Sequence, residues 1–230
     1  MTAAELVEDD SPLLVLAPHP DDESLGCGLL LAERWARGLP AHVACLTDGG
    51  ASHPGSRLWP AIRLAALRRR ELDEAVRRLG GDPARNVTWL GFPDAALHRL
   101  HGPGDDLARA LLALIDRLGA GTLLAASPHD PHCDHVAGAA AADRVAALRP
   151  GLRLWHYPVW SRWRAWEAGG ELSGLPLDLP ARRAAKRAAI AAHRSQMGRA
   201  VADDPGGFAM PPGFAWRFAA ETELYQPFHA

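Results

Sequence analysis

The chain has 230 residues, 48% hydrophobic and 23% charged, with a formal net charge of -2. This is the balance of a globular protein long enough to bury a sizeable core, and it gives no electrostatic reason to expect nucleic acid as a partner. No apolar run reaches the roughly 18 residues needed to span a bilayer, and the acidic start, Met1 to Asp10, lacks the basic and apolar stretches of a signal peptide. Cys27, Cys45 and Cys133 are odd in number and lie outside any CxxC spacing. They read as reduced thiols of a cytoplasmic protein, Cys27 and Cys45 buried, so a metal site must rest on histidine and carboxylate.

Leu13 to Ala17 is a short continuous apolar run, as expected of a buried parallel strand. The polar cluster His19 to Ser24 follows, and then a helix over Leu25 to Arg37. Ala41 to Leu46 repeats the strand pattern and ends in the turn Thr47-Asp48-Gly49-Gly50. Beyond a loop rich in Pro, Gly and Ser (Ala51 to Pro60), a helix spans about Ala61 to Leu79 and stops at Gly80-Gly81. Asn86 to Gly91 is a third strand, followed by Phe92-Pro93-Asp94. Leu107, Ala110, Leu111, Leu114, Ile115 and Leu118 give the spacing of an amphipathic helix over Asp105 to Leu118.

Thr122 to Ala126 is strand four, running into Ser127 to His135. A helix over Val136 to Leu148 and strand five, Leu152 to Tyr157, come next. This alternation predicts an α/β fold, a Rossmann-like parallel sheet with helices on both faces. Trp160 to Pro180 has no clear period, Ala181 to Met197 reads as one helix, and Ala200 to Ala230 as loops with one short strand. Without repeats or low-complexity linkers, a single domain over 1–230 is expected, its core at about 13–199 and its C-terminal segment, 200–230, irregular.

Nearly all the suggestive polar clusters fall at the carboxyl ends of strands, where sites form in open parallel sheets. His19 and Asp22 stand in HxxD spacing after strand one, and His132 and His135 three residues apart after strand four. Taken singly, each cluster also reads as helix capping with favourable dipole placement. Together they supply the histidine and carboxylate ligands of a catalytic Zn2+ site that keeps one position open for water. A neighbouring carboxylate that does not bind metal can then take the proton of a zinc-activated water. Two histidines and one carboxylate suit Fe2+ as well, whereas Mg2+ would be better served by oxygen ligands alone. His42, His53, His98, His101, His156 and His229 lack such company and read mostly as loop or surface residues.

At these residues the sequence resembles the PIG-L family of zinc-dependent N-deacetylases, also called LmbE-like proteins. The family's first motif is met by Pro18-His19-Pro20-Asp21-Asp22-Glu23 and its second by His132-Cys133-Asp134-His135. Weaker features, Arg68-x-x-Glu71, Pro93-Asp94 and Lys186 to Gln196, extend the resemblance over roughly Leu13 to Met197. It implies hydrolysis of an acetamide, typically on an N-acetylglucosamine unit carried by an aglycone. It also implies His19, Asp22 and His135 as metal ligands and Asp21 as general base. His132 would be the charged group that stabilises the oxyanion and protonates the leaving amine, with Asp134 orienting it. Two positions depart from the pattern. Cys133 replaces the usual proline, and Asp130 stands where some relatives have an oxyanion-binding tyrosine, which suggests a place for Asp130 behind the ligands.

Arg68 lies on the core-facing stripe of its helix, so it needs an anion: Asp48 or Glu71 within the chain, or the substrate's sugar or phosphate. Asp94 can accept from sugar hydroxyls or simply form a turn. His193 shares a helix face with Lys186, Ile190 and Met197, and looks into the cleft or into the core. Trp155, Trp160, Trp163 and Trp166 favour core or subunit interface over sugar stacking, and a homo-oligomer is compatible with the sequence. The expected function is zinc-dependent removal of an acyl group from a small-molecule amino-sugar conjugate. Hydrolysis of another amide or an ester is the nearest alternative. A nucleotide-binding module is disfavoured because GxGxxG is absent after strand one, and a non-catalytic partner module because the ligand set is complete.

Overall fold

A computed structural model describes residues 2–100, 106–198 and 200–228; His101, His229 and the expected helix start at Asp105 lie outside them. The apolar runs form β1 Leu13–Ala17, β2 Ala41–Thr47, β3 Val87–Phe92, β4 Thr122–Ala126 and β5 Arg153–Tyr157, joined by β6 Leu175–Leu177 and β7 Glu223–Pro227. Seven strands lie in the order β3-β2-β1-β4-β5-β7-β6. The first five pair in parallel, and β7 runs antiparallel to both β5 and β6. The sheet is therefore mixed at one edge, where the sequence shows little period.

The helices are α1 Glu5–Glu8, α2 Asp22–Ala36, α3 Ala61–Arg78, α4 Pro83–Asn86, α5 Asp106–Leu118, α6 Cys133–Leu148, α7 Trp160–Glu167, α8 Arg183–Ile190 and α9 Phe214–Ala220. Alternation along β1 shows how the layers form. Leu13, Val15 and Ala17 join the core that includes Leu30, Ile190 and Phe218, while Leu14 and Leu16 join Leu111, Ile115 and Val145 of α5 and α6. With every β1 side chain buried, the strand reads as a continuous apolar run. Gly26 lets α2 approach the sheet, because a Cβ there would stand 2.1 Å from the Tyr157 ring.

Three departures from the sequence reading bear on the site. Helices α2 and α6 each begin three residues early, at Asp22 and Cys133, because the polar motifs themselves form their first turns. The single helix expected over Ala181 to Met197 breaks after Ile190 and resumes as a 3-10 turn over Arg194–Met197. There Glu71 accepts the Ser195 N–H at 2.9 Å and its hydroxyl at 2.6 Å, drawing the chain off the helical path. His42, His53 and His156 are buried rather than superficial. His42 and His156 lie on β2 and β5, and the His42 Nε2 meets Thr88 Oγ1 at 2.8 Å. Cys27 and Cys45 are buried and Cys133 is exposed. Among the described residues, no helix is long and apolar enough to cross a membrane.

Glu223 fastens the late strand β7 to the rest. Its carboxylate accepts from Leu29 N, Leu30 N, Lys186 Nζ and Tyr225 OH at 2.6–3.0 Å, and both Lys186 and Glu223 are 1% exposed. Truncating one member of such a buried pair strands the other charge. Glu223→Ala is therefore expected to lower unfolding stability by about 3–5 kcal/mol, read from the shift in the urea midpoint, whereas an unchanged midpoint would remove Glu223 from this role.

Candidate metal centre and cleft

The strand order reverses direction between β1 and β4, the place where an open sheet leaves a crevice beyond its carboxyl ends. His19, Asp21 and Asp22 enter it from the β1–α2 turn, and His132 and His135 from the start of α6. Asp22 Oδ2 accepts the His19 backbone N–H at 2.9 Å and lies 3.3 Å from both His19 Nδ1 and His135 Nε2. His135 is fully buried. Its Nδ1 meets Asp130 Oδ2 at 2.9 Å, while its Nε2 has no hydrogen-bond partner.

A buried, unpartnered imidazole nitrogen facing a carboxylate fits a Zn2+ ion, with the opposite ring nitrogen held by Asp130. The His19 ring is held likewise, its Nε2 lying 3.2 Å from Asp134 and 3.3 Å from Asp94. Two other groupings overlap this one: His19, His132 and His135, and His19 with Asp94, His132 and Asp134. Asp94 and Asp134 lie against the opposite nitrogen of His19 and accept from backbone amides of Ala51, Ala95 and Leu97, whereas a single oxygen of Asp22 lies 3.3 Å from both the His19 and the His135 rings. Asp22, placed between the two rings, completes the better set.

Charge in this cluster is balanced. Burial pushes the Asp22 carboxyl up, but His135 and His19 hold it well below the usual carboxylate range. Burial pulls His135 down, yet Asp22 and Asp130 hold it at about 9. For His19, burial is likewise outweighed by Asp134, Asp22 and Asp94, and its pKa is raised. Burial dominates at Asp21, pushing it up to about 7 against the opposing charge of Arg68.

Asp21 has φ 145° and ψ -27°, a conformation that L side chains rarely adopt. It is held there because its N–H donates to Glu23 Oε2 at 3.0 Å and its carboxylate meets Arg68 at 3.3 Å. Arg68 also donates to Gly49 O and Pro20 O, both at 2.9 Å. Its anion is thus Asp21 rather than Asp48 or Glu71. Asp48 is occupied by the Gly50 and Asp94 amides, and Glu71 by Ser195. Glu23 was visible only as part of the motif, and its clamping role depends on His193, whose Nε2 lies 3.1 Å from Glu23 Oε1. His193 is 0% exposed, so its ring lies in the core beneath the turn rather than facing the open cleft.

His132 and Asp134 do not pair as the resemblance implies. The Asp134 carboxylate is engaged by His19, Ala95 N and Leu97 N, because the start of α6 turns it toward β1. Only its backbone N–H reaches His132, donating to Nδ1 at 3.2 Å. Burial, with His19 and His135 nearby, pushes His132 down to about 4. The Asp134 side chain thus lies with His19 rather than with His132, whose Nδ1 is occupied by a main-chain donor.

Above these groups opens a cleft of about 150 Å³. His19, Asp21, Arg68, Asp94 and His132 line its floor, as the sequence predicts for a site at this edge. Trp160, Phe208, Met210 and Phe214 line it as well; of these the sequence reading weighs Trp160 alone, and favours core or subunit interface for it. Trp160 alone carried a signal, since it closely follows the carboxyl end of β5.

A profile of the family described as PIG-L, GlcNAc-PI de-N-acetylase, matches residues 14–146. The "Probable N-acetyl-alpha-D-glucosaminyl L-malate deacetylase 2" of Bacillus anthracis is 28% identical over 157 residues, 66% of this chain and 67% of that protein. The 1D-myo-inositol 2-acetamido-2-deoxy-alpha-D-glucopyranoside deacetylase of Mycolicibacterium vanbaalenii is 26% identical over 86% of this chain and 84% of its own length. In fold, the chain resembles N,N'-diacetylchitobiose deacetylase from Pyrococcus horikoshii, with TM-score 0.73 and 20% identity over 97% of this chain and 86% of that one. A mostly parallel α/β sheet with histidine and carboxylate donors gathered at its switch point is a candidate metal centre. The chain belongs to the PIG-L family and is an N-deacetylase of that class.

Only neutral imidazole binds metal, and His135 keeps its proton up to about 9. Metal uptake at pH 7 therefore displaces protons, and affinity should climb from pH 6 to pH 8. Competition titration with a chromophoric chelator checks this sign; affinity independent of pH would contradict it. Asp130→Asn should weaken zinc binding about 10–100-fold by freeing the His135 ring.

Proposed function

We propose that the protein hydrolyses the N-acyl amide of an N-acetylglucosamine-type conjugate, using zinc held by His19, Asp22 and His135. The observation that carries this reading is the buried, unpartnered His135 Nε2, 3.3 Å from Asp22, which follows the strained Asp21 directly in the chain. Family membership and the deacetylase names of the relatives support the amino-sugar amide as substrate. When bound, zinc would supply Lewis acidity toward water and the amide carbonyl.

The residues divide the remaining work. Asp21, pushed up to about 7, has the proton affinity to take a proton from the attacking water and return it to the leaving nitrogen. A C–O bond forms, the C–N bond breaks, and the products are a carboxylic acid and a free amine. Arg68 and Glu23 hold Asp21 in position. The neutral His132, with its Nδ1 accepting the Asp134 N–H, presents Nε2–H to the carbonyl oxygen as charge develops there. Asp94, on the cleft wall, can accept from a sugar hydroxyl through the lone pairs left after Ala51 and His19.

Protein purified without added metal should carry about one equivalent of zinc or iron, given one closed set of three ligands. Asp21→Asn should keep that metal while amide hydrolysis falls about 10²–10⁴-fold, followed as free amine released from N-acetylglucosamine conjugates. An active Asp21→Asn variant would take the base role away from Asp21.

A further inference from the structure

Resting on this deacylase reading, we infer that the cleft is shaped for a linear N-acyl chain longer than acetyl. Its lining includes apolar side chains from Leu25, close in the chain to the reacting groups, to Met210. Leu25 lines the cleft one turn into α2, its N–H bonded to the carbonyl of Asp21 at 3.0 Å. The same lining holds Trp160, whose ring centroid lies 4.9 Å from that of Phe214 and 5.8 Å from that of Phe208, and Met210. Phe214 is fully buried, whereas Trp160, Phe208 and Met210 are only partly covered and present apolar surface to the cleft.

This surface cannot collapse to hide itself, because the segment that bears it is pinned. Phe208 N–H donates to Ser52 O at 2.8 Å and Met210 N–H to Gln196 O at 2.7 Å. Asp203 and Asp204 accept from Gly55, Ser56, Arg57 and Leu58 at 2.7–2.9 Å. At Gly207 the backbone passes so close to His53 that a Cβ would stand 2.3 Å from its ring. A pre-formed apolar wall gains free energy only when something apolar covers it.

Connectivity decides which part of the substrate that is. The first carbon of an acyl chain is bonded directly to the carbonyl carbon under attack, next to Asp21 and hence next to Leu25. An aglycone starts only beyond the amide nitrogen, two ring carbons and a glycosidic oxygen. An acetyl methyl would cover only the start of the wall, whereas a longer chain would follow it from Leu25 to Met210. Hydrolysis would release the corresponding fatty acid and the free amino sugar, with water as the only co-reactant.

The test is release of free amine by the zinc-loaded protein from glucosamine carrying acetyl, butanoyl, hexanoyl or octanoyl groups, beside octyl N-acetylglucosaminide. The expected result is a rise in kcat/KM of roughly threefold per added methylene up to hexanoyl. Phe208→Ala with Met210→Ala should lower the hexanoyl-to-acetyl ratio about tenfold. The wild-type series decides the matter even if that variant does not fold. A flat or falling series overturns the inference and leaves deacetylation intact. A rate raised by the octyl aglycone but not by the acyl chain also overturns it, assigning the wall to the aglycone. No release from any of these amides overturns the deacylase reading itself.

Discussion

A carboxylate and two imidazoles gathered in one buried spot constrain everything around them. Asp22, His19 and His135 are at most 8% exposed, and an ionised group so placed is tolerated only when opposite charge and hydrogen bonds surround it. Each ring therefore has a carboxylate on its far nitrogen, Asp130 behind His135 and Asp134 with Asp94 behind His19. Those carboxylates are in turn fixed by main-chain donors. Val159 and Ser161 hold Asp130, while Ala95 and Leu97 hold Asp134. The chains after β3, β4 and β5 are thus tied to one point by electrostatics as well as by the sheet.

This arrangement leaves the two adjacent aspartates in different states. Asp22 faces two imidazoles and stays ionised, whereas Asp21 faces one guanidinium and the charge of Asp22, and burial keeps its proton affinity high. Neighbouring carboxylates driven apart in this way are the usual means of obtaining a ligand and a base from like residues. The backbone contributes too. The unusual φ of Asp21 turns its side chain away from that of Asp22, toward Arg68.

The sequence makes much of this legible, for a physical reason. Buried parallel strands must be apolar throughout, so Leu13 to Ala17 and Thr122 to Ala126 stand out, and the polar residues that follow them fall at one sheet edge. The candidate donors His19, Asp22 and His135 stand out because two clusters of metal-binding residue types fall at the same sheet edge. Partnerships across the chain are harder to see. Nothing local indicates that Arg68 will choose Asp21, that Asp134 will serve His19 rather than His132, or that His193 will lie under Glu23. Each choice is made by tertiary approach, and each residue had a plausible nearer partner. The cleft wall is least legible, because Phe208 and Met210 sit on a loop positioned by Asp203 and Asp204, and loop geometry leaves no period to read.

The way the cleft is divided along the chain has a further consequence. The candidate metal donors, from His19 to His135, lie inside the stretch matched by the family profile, residues 14–146. Trp160, Phe208, Met210 and Phe214, which supply much of the apolar lining, lie outside that stretch, and Phe208 N–H is bonded back to Ser52 O in the loop after β2. Most polar groups of the cleft and much of its apolar lining thus come from successive lengths of sequence, of which the family profile matches the first.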